Sequence, residues 1–453
     1  MQVPPQKNAA PALLPSVTAG KTVSTTTGSW NRSTAKEVPV DELQRKFGWA
    51  DDSWQAGLLK AADAASPVSS RKGNGSVSAA EVERYLQNPT DARFLTSTAL
   101  QQQRASLEQK LGGGRYVAVD AFDSDWQDAV ARRADLSGDG KLSRTELDTF
   151  FKNVKAGKVD DVEWVPDQKS AMFESKVAES AGELDPLRPA GDTGGLSLLK
   201  EYMRISLDEA KNVPTLVSHM ISAADLEERP FGVSRDKSKF TEDPELGDKA
   251  VKDTDYKGSG YDRGHMKPAA DSPTQEAMDE SHLMTNMAPQ FPNLNRQSWA
   301  TLEDAVRDMV SSTGGKAYVM TGNLYLDGQG QPLPPESIKS IGPDGRPIAV
   351  PTHNFKTVLL ELPNGNLSMF AYMVPNVKDA PTEPANISKF LEESRTSVDK
   401  LEDLLGQDLY AQLPKSVQEK LEADSSARMA FREASTFEAA SLLMRPGFSN
   451  RWE

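Results

Sequence analysis

The sequence has no cysteine. That excludes a disulfide-stapled scaffold, a cysteine-ligated zinc site, an iron–sulfur cluster and a thiol nucleophile. Only four histidines are present. No two of them have the spacing that would put a pair of metal ligands on one face, which argues against a histidine-ligated zinc hydrolase. No stretch approaches the roughly 18 consecutive apolar residues of a membrane-spanning helix, so no membrane partner is expected. Positive charge is also in short supply. The formal net charge is −14, with 24 Lys and Arg against 27 Asp and Glu in residues 1–199, and 28 against 39 in the remainder. A protein that held nucleic acid by its bulk field would carry the opposite sign. Any nucleic-acid chemistry here must depend on a local site.

What is present is a chain of 453 residues, 37% hydrophobic and 26% charged. At roughly 100–200 residues per domain, that length suggests two to four domains. Residues 1–39 are rich in Pro, Ala, Ser and Thr and read as a disordered tail. Their apolar stretch is interrupted by Pro11 and Pro15 and preceded by a single Lys7, a poor secretory signal. Specialised export, as a secreted or delivered protein, is the expectation.

Residues 40–158 have a helical pattern with polar breaks. Helices are predicted at 40–47, 54–62, 79–86, 95–111, 122–134 and 143–154, and helix, Gly-containing loop and helix occur twice as a weak internal repeat. Residues 159–200 carry Pro166, Pro186, Pro189 and a glycine cluster, and read as a connector. From 201 to 425 the character is α+β. Short apolar runs at 317–320, 357–362 and 368–374 read as strands, and 302–310 and 398–405 as helices. Residues 426–453 read as a C-terminal tail.

The loop 135–146 has the order of oxygens a hard cation requires. Asp135, Ser137 and Asp139 stand at positions 1, 3 and 5. Gly140 permits the bend at position 6, Lys141 offers its backbone carbonyl, Ser143 reaches through water, and Glu146 can bind with both oxygens. Leu142 is expected to pack against a partner loop. This is the pattern of an EF-hand that binds Ca²⁺. The partner loop ends in Glu81 and is degenerate: position 1 is either Ser70, or Asp63 with a seven-residue insertion. An EF-hand pair is expected over 40–158.

A second cluster of motifs begins at Tyr261-Asp262-Arg263-Gly264-His265. Histidine can act as a general base near neutral pH, arginine can hold a phosphate, and glycine lets the backbone approach closely. Further on stand Asn286, Pro289-Gln290, and Leu294-Asn295 followed by Trp299, Leu302-Glu303 and Arg307. On a helix from Asn295, Glu303 and Arg307 share a face, with Asn295 about two turns before. His219, His282 and His353 read as structural.

Together these segments resemble the sugar-nonspecific DNA/RNA endonucleases of the ββα-metal (His-Me finger) type, over about residues 200–425. Val213-Pro214, Tyr318–Gly322 and Pro351-Thr352 with Phe355-Lys356 extend the likeness to the family's core strands. The resemblance implies an α+β, ββα-metal nuclease domain preceded by a helical EF-hand pair. It implies that His265 is the general base and that Asn295 ligates one Mg²⁺ or Mn²⁺. Glu303 would orient water beside the cation, Arg263 and Arg307 would contact phosphate, and Asn286 would position the site. Asp262 would hold the loop. The family's phosphate-binding arginine before an Asp-Pro pair (here Asp243-Pro244) has no equivalent at the usual offset. Arg235, Lys237 and Lys239 remain open as substitutes.

The function implied is metal-dependent, nonspecific cleavage of DNA and RNA, with calcium as brace or sensor. The rival is a noncatalytic, calcium-dependent nucleic-acid-binding protein on the same scaffold. Beyond DNA and RNA, a homodimer and an inhibitor or immunity protein stand open as partners.

Overall fold

The computed structural model describes residues 23–24 and 36–431, apart from 68–69, 88–92, 123–124, 184, 186, 192–194 and 228–232. Most of the expected N-terminal tail, and residues 432–453 of the C-terminal one, lie outside these. The described ends of both tails are not free. Val23–Ser24 pairs with the edge strand Asn366–Pro375, and Val38–Pro39 pairs with Ser76–Val77. Ala427 and Met429 are buried in the core of the C-terminal half.

The N-terminal part is built from two similar halves. The first holds helices Val40–Phe47, Trp54–Ala64 and Ala79–Gln87. The second holds Ser97–Leu111, Asp125–Ala134 and Arg144–Lys155. Each half has its own core. Leu43, Leu58, Val77 and Val82 pack in one, and Leu100, Leu107, Val130, Leu142, Phe150 and Phe151 in the other. The expected pairing of the two loops is therefore corrected. Val77 pairs with Val38, and Leu142 with Val117. Each short loop strand takes the apolar strand nearer to it in sequence, which closes a smaller loop.

The repeat is nonetheless real. Asp63 accepts hydrogen bonds from Asn74 N and Gly75 N, both at 2.9 Å, as Asp135 does from Gly138 N and Gly140 N, both at 2.8 Å. Ser78 donates to Glu81 as Ser143 does to Glu146. Asp63 thus occupies the place of Asp135, and the first loop carries the insertion.

The stretch 159–200, expected as a connector, contains the 14-residue helix Asp167–Ser180. Its Phe173 and Val177 complete the first core. Pro166 starts this helix instead of breaking the chain, since a helix's first turn tolerates a missing N–H.

The remainder is a seven-stranded antiparallel sheet. Its order is Val23–Ser24, Asn366–Pro375, His353–Glu361, Lys316–Leu324, Val213–Ser222, Arg204–Asp208 and Leu196–Leu199. The central strands are apolar at successive positions, and alternate residues face opposite layers. Val319, Val358 and Phe370 pack on helices Ala300–Thr313 and Pro384–Glu393. Met320, Leu359 and Met369 pack on Val398–Leu405 and Lys415–Leu421. Pro214 lacks an N–H, and the register shifts between it and Leu216, as a bulge accommodates.

Candidate active site

Strand Asp262–His265 pairs antiparallel with Met287–Gln290, and the chain then enters helix Ala300–Thr313 through a π-helical turn, Leu294–Trp299. This is a ββα unit. Met266 and Ala288 anchor it over Ile205 and Val217 of the sheet. Gly264 is required by close approach: a Cβ there would lie 2.1 Å from Gln290 Oε1. Gln290 in turn donates to Asn354, Asn354 to Asn323, and Asn323 to the carbonyl of Pro214. This buried chain of amides ties the unit to the central strands. Asn286 is fully buried. It accepts from Lys267 N and donates to the carbonyls of Lys267 and Ser281, so it holds the turn after His265 and does not face solvent.

His265 is 7% exposed, and its Nε2 has no hydrogen-bond partner. Phe240 packs across both His265 and the Arg263 guanidinium. His282 stands edge-on to the His265 ring at 4.8 Å, its own Nδ1 donating to the carbonyl of Met278. Burial, then the neighbouring His282, Arg235, Lys267 and Arg263, keeps the His265 pKa well below the usual histidine range. The ring is neutral at neutral pH with one nitrogen unengaged, as a base requires.

Asp262 accepts from the Asn295 amide nitrogen at 3.0 Å and takes the Arg296 guanidinium in a two-pronged grip. With its nitrogen so engaged, Asn295 presents its carbonyl oxygen as the free donor. A hard divalent cation suits that oxygen, so the residues present fit a single Mg²⁺ or Mn²⁺. Arg296 was not singled out in the sequence. A fork-shaped cation one residue after the expected ligand is its only signal.

On the helix, Glu303 and Arg307 do not form the i, i+4 pair their spacing suggests. Arg307 donates to Asp271 at 2.6 Å and also pairs with Asp304. Asp271 accepts from His219 at 2.9 Å. Burial would raise the Asp271 pKa, but the His219 hydrogen bond and the Arg307 charge hold it well below the carboxylate range. Glu303 is pushed up to about 7 by burial, against the charges of Lys356 and Arg307. Lys356 is buried, donates to Thr321, and lies over the Trp299 ring. His219, Asp271 and Lys356 therefore form a buried support beneath the site. His353 stays apart, against Thr352.

Arg263 is paired with Asp253 and remains partly exposed. Of the three candidates for the missing arginine, Arg235 is the one whose charge reaches His265 and His282. Its segment is held by helix Gln275–Ser281, where Gln275 accepts from Ser234 N and donates to Ser234 O and Ser238 Oγ. Lys237 and Lys239 are exposed, and the largest charge influences on His265 come from His282, Arg235, Lys267 and Arg263.

In the loop 135–146 the carboxylates accept the loop's own donors. Asp135 takes Ser137 Oγ and the amides of Gly138, Asp139 and Gly140. Asp139 takes Lys141 N, and Glu146 takes Ser137 N and caps its helix through Ser143. Burial alone would raise the Asp135 pKa, but the Gly140 and Gly138 amides and the Ser137 hydroxyl together hold it below the usual range. The Lys141 side chain is exposed.

Residues 188–416 match the model of the DNA/RNA non-specific endonuclease family. The chain belongs to that family. It is 41% identical over 172 residues to a nuclease of Syncephalastrum racemosum, covering 36% of this chain and 53% of that one. It is 39% identical over 137 residues to the mitochondrial endonuclease G of Bos taurus, covering 29% and 42%. Against the mitochondrial nuclease of Saccharomyces cerevisiae the figures are 33% over 211 residues, covering 44% and 62%. The chain thus spans about half the length of the curated relatives it matches. The expectation of a secreted or exported protein is overturned here, because endonuclease G and the yeast relative are mitochondrial by name.

Proposed function

We propose that the chain is an endonuclease that hydrolyses phosphodiester bonds of DNA and RNA with little sequence preference. The observation that carries this reading is the buried, unengaged Nε2 of a neutral His265 on the strand whose Asp262 orients Asn295. Asn295 would hold Mg²⁺ or Mn²⁺, which supplies Lewis acidity toward the phosphate when bound.

The chain's own groups do the rest. His265 Nε2 takes a proton from water as the water oxygen attacks phosphorus. The P–O3′ bond breaks, leaving 5′-phosphate and 3′-hydroxyl ends. Glu303, about half protonated at pH 7, holds water and can return a proton to the leaving oxygen. Arg263 and Arg235 are the cations exposed to substrate, while Arg307 contributes a fixed positive charge locked by Asp271. Asn286 positions the turn. The mitochondrial relatives point to that compartment. The loop 135–146 is the calcium site of this reading, with Asp135, Ser137, Asp139, Lys141 and Glu146 as donors and a bracing or sensing role.

Plasmid and RNA digestion in EDTA, in Mg²⁺, and in Mg²⁺ plus Ca²⁺ tests this. Cleavage should require Mg²⁺, and His265→Ala should lower the rate about 100- to 10,000-fold. Arg235→Ala should raise KM, with Lys237→Ala and Lys239→Ala near wild type. Wild-type rates from His265→Ala would remove the base. Failure to cut in any condition would reject the activity.

A further inference from the structure

A group of carboxylates outside the ββα unit has no part in the reaction. Asp399 and Glu402 stand one turn apart on helix Val398–Leu405, and Glu422 follows the end of helix Lys415–Leu421. One carboxylate oxygen from each lies within 4.8 Å of the others. The two helix ends are also joined through the backbone, Asp399 N donating to Glu422 O at 3.2 Å.

Three carboxylates this close repel one another. None of the three makes an ion pair among the described residues. The nearby Lys415 is bound to Asp408 at 3.1 Å, and its side chain is 74% exposed. Glu422 is only 5% exposed, and its Oε1 is buried without a hydrogen-bond partner. Asp408 adds a second buried, unpartnered oxygen, Oδ1, and its charge acts on both Glu402 and Glu422. A buried acceptor left unpaired is costly, and more so among like charges. Within the group, Glu402 Oε1 accepts from Leu409 N at 2.7 Å, but no cation answers the charge, whereas the buried Asp271 has Arg307 and the buried Asp243 has Lys200.

We infer that Asp399, Glu402 and Glu422 form a binding site for Ca²⁺, which locks helix Val398–Leu405 to the end of helix Lys415–Leu421. The donors are all oxygens, which selects a hard cation over zinc or copper. Asp399 is exposed and Glu402 half-buried, so the outer side is open to water ligands. An irregular carboxylate set of this kind suits calcium, whereas magnesium demands a near-ideal octahedron. Val398, Leu401, Val417 and Leu421 pack these two helices on the sheet face opposite helix Ala300–Thr313. The site is therefore a brace for that layer, and it stands whether or not the chain is a nuclease.

The test is calorimetric titration of the full chain with CaCl₂ in saturating Mg²⁺, with thermal melting alongside. Five proteins are compared: wild type, Glu146→Gln, Glu402→Gln/Glu422→Gln, the triple variant that combines these changes, and Asp399→Asn. The double variant should bind one calcium fewer than wild type. Calcium should raise the melting temperature of Glu146→Gln but not of the triple variant. In EDTA the double variant should melt no lower than wild type, because the mutual repulsion is gone. Asp399→Asn, at an exposed position that cannot disturb the core, should weaken this site at least about tenfold and guards against misfolding of the others. Undiminished stoichiometry in the double variant, or undiminished affinity in Asp399→Asn, would overturn the assignment.

Discussion

Burial decides the protonation of the histidines in and under the site. His219 is fully enclosed, donates Nε2–H to Asp271, and leaves Nδ1 without a partner. Burial brings its pKa from about 6.5 down to about 4, against the pull of Asp271. The depressed value sets the sign. Between those two values the unfolded chain binds the proton and the folded one does not. Stability is therefore complete above about pH 6.5 and is lost as pH falls toward 4. His265 shifts in the same direction. The melting temperature should fall between pH 7 and pH 5. His219→Gln, which can still donate to Asp271, should lose less over that interval, and equal losses would reject the account. At this scale the sequence was informative about His265, Asn295 and Glu303, since each stands in a motif with a chemical reason for its type. It assigned no role to Asp271, Lys356 or Arg296. Their partners come from distant elements, and a charge alone in sequence reads as a solvated one.

Gly264 and Gln290 make the ββα unit a single element. Gln290 lies flat across the strand where any side chain at 264 would sit, and its amide continues the chain to Asn354 and Asn323. Gly264→Ala must displace Gln290 or part the two strands. It should cost about 1–3 kcal/mol of stability and lower activity more than stability alone explains, because Arg263 and His265 move with the strand. Denaturant titration and digestion rates check this, and a variant with wild-type values of both would refute it. The strands and helices of this half were readable as short apolar runs and as amphipathic periodicity. The opening turn of the long helix was not. Eight residues from Asn295 to Glu303 suggest two α-turns, but Leu294–Trp299 is π-helical. Wider turns of this kind gather at functional sites, and no residue pattern announces them.

The two parts of the molecule meet at a buried carboxylate. Asp225, on the short helix Ala223–Glu227 that follows strand Val213–Ser222, accepts from Asp167 N and Gln168 N at the start of helix Asp167–Ser180, and from Ser97 Oγ. Pro166 provides no side-chain cap for that helix, so Asp225 caps it from another domain. Asp167 does the same for helix Ser97–Leu111 through Thr98 N and Oγ1. Gln168 then donates to the Met220 carbonyl of the sheet. Asp225→Ala leaves these donors buried and unmatched, at about 1–3 kcal/mol for each. The N-terminal part should melt earlier and separately from the nuclease part, resolved as two transitions by calorimetry. A single unshifted transition would count against the interface.

Local pattern and chemical type were enough to indicate an α+β half and a helical half with two related loops, and the motif residues carried the resemblance to the nuclease family. Periodicity, cap residues and donor chemistry act over a few neighbours, so they survive in the linear order. Three-dimensional packing decided the rest: which strand each loop pairs with, and that residues 159–200 contain a core helix instead of a connector. It also decided that Asp399, Glu402 and Glu422 converge. These depend on burial and on charges brought together across long separations in sequence, where the free energy of a contact depends on surroundings that no single segment contains.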